Sequence, residues 1–542
     1  MQRKLQDRGP SLKRRSELPA DWQSTGFTPG ARHFAALSAL LSGSDDDTAE
    51  AAERALARAG PPGAEAARAA LPSAAAAARF RLARVVARVA AEHPDALRDA
   101  LLELLGDADP RVQRAAITGL GKVGGPGVEA ALLGRWERSA LPERRALAEA
   151  LGKVGGADSG SFLSALSADD PELERRRGRA LVMLGRSAEH GPSTLDLDRP
   201  LAREVTVVLG CRHGLGPVLL DEARERGLPA AAERSPSEVV LPWAGALRPL
   251  FLLRAALDVG LELPLRPARS PDASVVAALE SAAPLLRALS SGIPRFRLAW
   301  REGGHQRART FRIAEALDPG LLVNDPRSAL WEARVDEGAR RVVLVARPDE
   351  ELRFGYRGRD VPAASHPTVA AALARVAGVR ADDVVWDPFV GSGLELCERG
   401  LLGPFQRLIG TDVSTSALDA ARENLRRAGL HAELVRGEAQ SHHPVGVTLV
   451  ITNPPMGRRV ARHGELADLM AAFLENVGRC LEPGGRLVWL SPLPALSAKK
   501  LAALGLAVER RGAVDLGGFG AELQVAGRGW TSGPSGAKIR PP

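Results

Sequence analysis

Residues 382–393 read DDVVWDPFVGSG. An apolar run (Val384, Val385, Trp386) ends in Asp387, a turn follows with Gly391 and Gly393, and a helical pattern starts at Leu394. Strand, acid, glycine turn and helix make one α/β unit. The same unit recurs downstream. LIGTDVS (408–414) is a second strand ending in Asp412, and TSALDAARENLRRAGL (415–430) is its helix. ELVRGEA (433–439) is a third strand leading to Glu438. VTLVITNPP (447–455) is a fourth, running into Asn453-Pro454-Pro455, and PGGRLVWLSP (483–492) a fifth. A closing hairpin is predicted around 506–526. Such a series predicts a doubly wound sheet that binds its ligand where the strand order reverses.

The first turn lacks the full G-x-G-x-x-G fingerprint, and no P-loop lysine or arginine stands ready for a pyrophosphate. A nucleoside without phosphates fits better. Asp412 can accept hydrogen bonds from ribose hydroxyls. S-adenosylmethionine is such a ligand, its amino-acid end falling to Asp387 and the backbone of Gly391 and Gly393.

In this order, DPFVGSG, GTDVS, RGEA and TNPPMG resemble class I amino-methyltransferases of the THUMP-associated type. These act on the N2 amine of guanosine in tRNA or ribosomal RNA. The resemblance covers roughly residues 352–528. It implies a Rossmann-like fold with S-adenosylmethionine as cofactor, held by Asp387, Phe389, Gly391, Gly393, Asp412, Val413, Glu438 and Ala439. It places catalysis on Asn453, Pro454, Pro455 and Met456. In the family, the asparagine amide oxygen and the first proline's carbonyl accept the target N–H groups, which frees the amine lone pair. The two prolines have fixed φ and cannot donate, so they hold those acceptors in place. Met456 stands where the family has tyrosine, a base-stacking contact worth about 1–3 kcal/mol. Methionine is a flexible, polarizable substitute, and Phe389 or Trp386 can compensate. Val390 and Leu394 depart further from the family pattern.

Upstream, the alanine-rich first third is a repeat. Leu56-Ala57-Arg58, Val86-Ala87-Arg88, Leu120-Gly121-Lys122, Leu151-Gly152-Lys153 and Leu184-Gly185-Arg186 recur at intervals of 30, 34, 31 and 33 residues. LGKVGG occurs twice, at 120–125 and 151–156. Gly124-Gly125 and Gly155-Gly156 are placed to end helices in a left-handed conformation. Asp109-Pro110 suits a helix start. Two helices per repeat without strand signals resemble short HEAT repeats, an α-solenoid. A solenoid of this kind implies a protein partner or docking within the chain, with direct RNA contact as the alternative.

Between these parts the pattern is mixed α/β. Strands are predicted at 204–210, 237–243 and 296–300, helices at 216–227 and 309–317, and a hairpin over 329–348. RFRLAWREGGHQRARTF (295–311) carries Arg295, Arg297, Arg301, Arg307 and Arg309 with few acids nearby in sequence. The segment, followed by Arg353-Phe354-Gly355-Tyr356-Arg357, resembles a THUMP domain, an RNA-binding module. It assigns Arg295, Arg297, Arg307 and Arg309 to RNA phosphates, against a solvated-surface alternative.

The resulting organisation is a basic tail (1–32), a HEAT solenoid (33–196), a THUMP-like domain (197–350), a methyltransferase domain (351–528) and a tail (529–542). Composition agrees with a globular multidomain chain: 542 residues, 45% hydrophobic, 25% charged, net charge +8. The three cysteines (Cys211, Cys397, Cys480) form no CxxC pair, which excludes a disulfide framework and a structural zinc site. No metal or membrane association is expected, nor a secretory signal, and the default location is cytoplasmic. His442-His443 reads as loop, Cys397 as packed, Glu395 as a helix-surface charge, and Asp382 and Asp383 as the start of the first strand. Asn-Pro-Pro chemistry also serves adenine N6 and protein glutamine, and a non-catalytic scaffold with a degenerate methyltransferase fold is the other alternative.

Overall fold

The two LGKVGG copies close the helices Pro110–Val123 and Leu141–Val154. Their glycines serve close packing. A Cβ on Gly121 would lie 3.0 Å from the Ala150 Cβ, and one on Gly152 only 2.5 Å from that of Ala180. Successive repeats therefore cross at glycine–alanine contacts, which brings the leucines Leu120, Leu147 and Leu151 into one buried core. Asp109 caps the first of these helices by accepting the Arg111 N–H at 2.8 Å. The helix ends differ from the expected symmetry. Gly124 and Gly125 have φ of 59° and 98°, whereas Gly155 leaves its helix extended at φ −75°. At Gly155 a Cβ would lie 2.2 Å from the Ser159 Oγ, so steric room, not left-handed backbone, requires glycine there.

A computed structural model describes residues 18, 22–23, 29–43, 45–91, 93–167, 169–189, 193–304, 306–326, 328–361, 364–457, 463–517 and 520–527. Of the expected tails, 529–542 and most of 1–32 lie outside the described residues. The chain divides into two compact units, 1–191 and 192–542. The first is all helical, from Ala31–Leu40 to Pro171–Glu189, and is an α-solenoid. No helix among the described residues is long and apolar enough to cross a membrane.

The second unit holds two large sheets. The first has eight strands in the order Ala232–Ser235, Glu238–Trp243, Val205–Gly210, Asp258–Pro264, Arg341–Ala346, Trp331–Asp336, Arg295–Trp300, Val323–Asn324. The pairings are antiparallel except the last two. Asp258–Pro264 is a central strand that sequence patterning missed, because Asp258 and Glu262 interrupt its apolar run. Its buried residues, Val259, Leu261 and Leu263, alternate as a strand requires.

The second sheet has seven strands in the order Glu433–Arg436, Arg407–Asp412, Val384–Asp387, Val447–Thr452, Leu481–Ser491, Gly520–Gly527, Ala507–Asp515. The first five are parallel; Gly520–Gly527 runs antiparallel to them, and its hairpin partner Ala507–Asp515 runs in their direction again at the edge. This is the class I methyltransferase architecture. Strand order reverses between Val384–Asp387 and Val447–Thr452, so Asp387 and Asn453 end up side by side.

Asp383 holds the opposite, N-terminal end of these strands together. Its carboxylate accepts both Nη groups of Arg486 at 2.8 Å and Nη2 of Arg399 at 2.8 Å, all three residues being buried. Thr448 Oγ1 also donates to it, at 3.1 Å. Burial by itself raises this carboxyl, but the hydrogen bonds from Arg486 and Arg399 outweigh it and hold the group down at about 2. The resulting stability is present above the unfolded value of about 4 and is lost as pH falls through about 2. Asp383→Ala leaves two buried guanidinium groups unpaired and is expected to cost about 3–5 kcal/mol. Urea denaturation measures it; a loss below about 1 kcal/mol would mean that solvent already screens the cluster.

Candidate active site

The crevice is built at the C-terminal ends of the first, second and fourth parallel strands. Asp387 is fully buried. Its Oδ1 accepts the Thr452 hydroxyl at 2.7 Å and the Phe389 N–H at 3.1 Å, while its Oδ2 is buried without a partner among the described residues. Gly391 and Gly393, at φ 49° and 80°, carry the turn that follows. The Gly391 N–H donates to Asp412 Oδ2 at 3.0 Å, and the Ser414 N–H to Asp412 Oδ1 at 2.8 Å. The Gly437 N–H donates to the Asp412 carbonyl at 3.1 Å, bringing the third strand's loop alongside. On that loop Glu438 is exposed and Ala439 buried; Val413 is 61% exposed, an apolar surface with no protein cover.

Asn453 follows the fourth strand. Its Nδ2 donates to Ser365 Oγ at 2.9 Å, and its Oδ1 is buried with no partner among the described residues. Ser365 in turn donates to Glu395. Glu395 is therefore not the surface charge expected from sequence but a buried acid, 4% exposed, on the helix Leu394–Leu402. No sequence signal marked Ser365, which is 88 residues from Asn453, or Thr452. Pro454 is buried; Pro455 and Met456 are half-buried, and Met456 packs against the apolar core. Phe389 is half-buried and meets Phe473 edge-to-face at 5.2 Å. Trp386 cannot compensate for the missing tyrosine: it is fully buried, its indole N–H donating to Thr411 Oγ1 at 3.0 Å.

Two of the crevice acids are electrostatically exposed to one another. Burial, then the Glu395 charge, raise Asp387 well above the usual carboxylate range, against the Thr452 and Phe389 hydrogen bonds. Burial pushes Glu395 up to about 7, opposed by the Ser365 hydroxyl and reinforced by Glu398. Glu398 itself is neutralised, accepting Nε and Nη2 of Arg254 at 2.7 Å each and the Tyr356 hydroxyl at 2.5 Å. Cys397 is buried, with its thiol raised by burial. Among the described residues no group of three or more His, Cys, Asp or Glu could hold a metal ion.

The arginine patch expected on the middle segment needs correction. Arg295 is buried and donates to Asp325 at 2.8 Å; Arg297 donates to Glu332 at 2.7 Å. Arg309 donates to Asp272 at 2.7 Å and Glu337 at 2.8 Å, with its guanidinium 4.2 Å from the centre of the Trp300 ring. The acids come from 28 to 37 residues away, which local sequence cannot reveal. Arg307 alone of the four is exposed and unpaired among the described residues.

With this geometry in place, comparison with known proteins is informative. Residues 354–503 match the family model described as the RMKL-like methyltransferase domain, and residues 64–151 and 99–185 match HEAT repeats. The chain is 31% identical over 157 residues to the tRNA (guanine(10)-N2)-dimethyltransferase of Methanothermobacter thermautotrophicus, covering 28% of this chain and 46% of that one. It is 32% identical over 217 residues to the tRNA (guanine(6)-N2)-methyltransferase of Thermus thermophilus, covering 38% and 63%. The chain thus spans about half to under two thirds of these relatives' lengths. Among solved structures it is similar to TrmN from Thermus thermophilus (TM-score 0.49, 28% identity, 60% of this chain and 99% of that one).

The raised Glu395 carboxyl carries a sign. In the folded chain it keeps its proton up to about 7, against about 4.5 for an ordinary glutamate, so the associated stability is full below 4.5 and is lost as pH rises through 7. Glu395→Gln removes that loss. At about pH 8 the variant is expected to be more stable than wild type by about 3 kcal/mol, with the difference shrinking toward pH 5. A urea series showing the same difference at both pH values would contradict this.

Proposed function

We propose that the chain transfers a methyl group from S-adenosylmethionine to the exocyclic N2 amine of guanosine in tRNA or ribosomal RNA. The observation that carries this reading is the Asn453 amide oxygen, buried without a partner among the described residues at the strand switch point beside the Asp387 crevice. An acceptor in that place suits an N–H-bearing substrate. The guanine-N2 activity named for the relatives supports guanosine as the acceptor.

The crevice also suits the cofactor's charge. Among the described residues Asp387 and Glu395 hold no cation, whereas the third acid, Glu398, is matched by Arg254. A ligand with an ammonium and a sulfonium supplies the missing positive charge. Asp387, Phe389, Gly391 and Gly393 would hold its amino-acid portion. Asp412, Glu438, Val413 and Ala439 would hold the nucleoside, Asp412 through the ribose hydroxyls. When bound, the cofactor supplies an electrophilic methyl group.

The chain's own residues do the rest. Asn453 Oδ1 accepts one N–H of the target amine and the Pro454 carbonyl accepts the other. The lone pair, otherwise shared with the ring, is thereby aimed at the methyl group. Pro454 and Pro455 keep the two acceptors fixed, and Met456 with Phe389 gives the base an apolar wall. Arg307 remains available for backbone phosphates.

Two measurements test this. Binding a cation should expel the Asp387 proton, so affinity for S-adenosylmethionine should rise with pH and binding should release protons. Calorimetry in buffers of different ionisation enthalpy reads this, and proton-neutral binding would count against the Asp387 contact. Asn453→Ala should lower methyl transfer to RNA by about a hundredfold or more while the cofactor still binds. Nucleoside mass spectrometry of RNA from a deletion strain, treated with the wild type, should yield N2-methylguanosine. Methylated adenine or protein glutamine would redirect the acceptor, and a wild type that binds cofactor yet methylates nothing would overturn the reading.

A further inference from the structure

Asn453 can serve as an acceptor only in one of its two amide orientations. A half-turn about the last side-chain bond exchanges oxygen for NH2 and would point a donor at an N–H-bearing substrate. What selects the orientation lies outside the Asn-Pro-Pro motif. Asn453 Nδ2 faces Ser365 Oγ at 2.9 Å, and the Ser365 hydroxyl faces the Glu395 carboxylate.

A hydroxyl has one proton to give. An ionised carboxylate only accepts, so the Ser365 proton is committed to Glu395 and Ser365 can only accept from the other side. It therefore selects the NH2 end of the amide and leaves Oδ1 turned away, where the structure has it buried and unpartnered. Were Glu395 apolar, the Ser365 hydroxyl would be free to donate, and the oxygen end of the amide would satisfy it equally well. Glu398, one turn further along the same helix, makes no such demand, because Arg254 and Tyr356 occupy its oxygens.

We infer that Ser365 and Glu395 are positioning residues, a two-member relay that locks the Asn453 side chain with its oxygen toward the amine to be methylated. This rests on the methyltransferase reading for its catalytic consequence but not for its geometry. The relay also gives a role to a buried acid in this helix that pairs with no cation among the described residues: it accepts one hydrogen bond, at the cost in stability described above.

The test separates the two layers. The chain contains four asparagines, Asn324, Asn424, Asn453 and Asn476, so full-length protein labelled with 15N-asparagine gives four side-chain amide pairs. The pair missing in Asn453→Asp is that of Asn453. Above the Glu395 titration, Ser365→Ala and Glu395→Leu should each move the Asn453 amide proton resonances, while those of Asn324 stay in place. In steady-state assays both variants should lower kcat tenfold or more. In Ser365→Ala, S-adenosylmethionine affinity should change less than twofold, which reports an intact fold and crevice. Ser365→Thr, which restores a hydroxyl, should recover most of kcat. Unmoved Asn453 resonances in Ser365→Ala, or wild-type kcat in that variant, would overturn the relay. If the wild type transfers no methyl group, the functional reading falls, and the amide resonances still decide whether the relay exists.

Discussion

The second unit depends on a single buried carboxylate. Asp383 receives Arg486 from the fifth strand, Arg399 from the first helix and Thr448 from the fourth strand. Removing either side from this cluster would leave charge stranded in an apolar interior, where it costs several kcal/mol. Because Arg399 sits on the helix that carries Glu395 and Glu398, the same cluster sets how that helix enters the crevice. Asp387 starts from the strand that Asp383 anchors. The alignment of first and fourth strands, and with it the 2.7 Å bond from Thr452 to Asp387, follows from that anchoring.

Four acids on or beside one helix are treated in three ways. Asp383 is paired with two arginines and held ionised. Glu398 is paired with Arg254 and Tyr356, which ties the FGYR element and the eight-stranded sheet to the seven-stranded sheet. Arg254 and Arg353 both lie over the Phe354 ring, at 5.0 and 4.8 Å, so that tie is packed as well as charged. Asp387 and Glu395 receive no cation and retain their protons more readily than ordinary carboxyls. Uncompensated burial of this kind marks a place where a ligand completes the charge balance. Stability is given up at the crevice and supplied at Asp383.

The eight-stranded sheet shows how a basic sequence run need not be a basic surface. Arg295, Arg297 and Arg309 cluster within fifteen residues, yet each meets a carboxylate from another element. The ion pairs cross strands and reach the helix Pro271–Ala288 through Asp272. Composition alone registers the arginines and the acids separately; folding decides that they cancel.

Sequence by itself determined the repeat period of the solenoid, the strand-turn-helix series of the catalytic sheet, and the position of Asp387, Asp412 and Asn453 at strand ends. These are local: a period of two or of 3.6, a turn needing glycine, a proline that cannot continue a helix. It also placed Cys397 in the core. Tertiary structure decided the rest. Ser365, Thr452 and Glu395 acquired their roles from partners 65 and 88 residues away, or from a helix face that turned inward. The helix-ending role expected of Gly155 became a matter of clearance from Ser159. Hydrogen-bond direction and charge compensation depend on which groups meet after folding, and chain-local patterns carry no record of that.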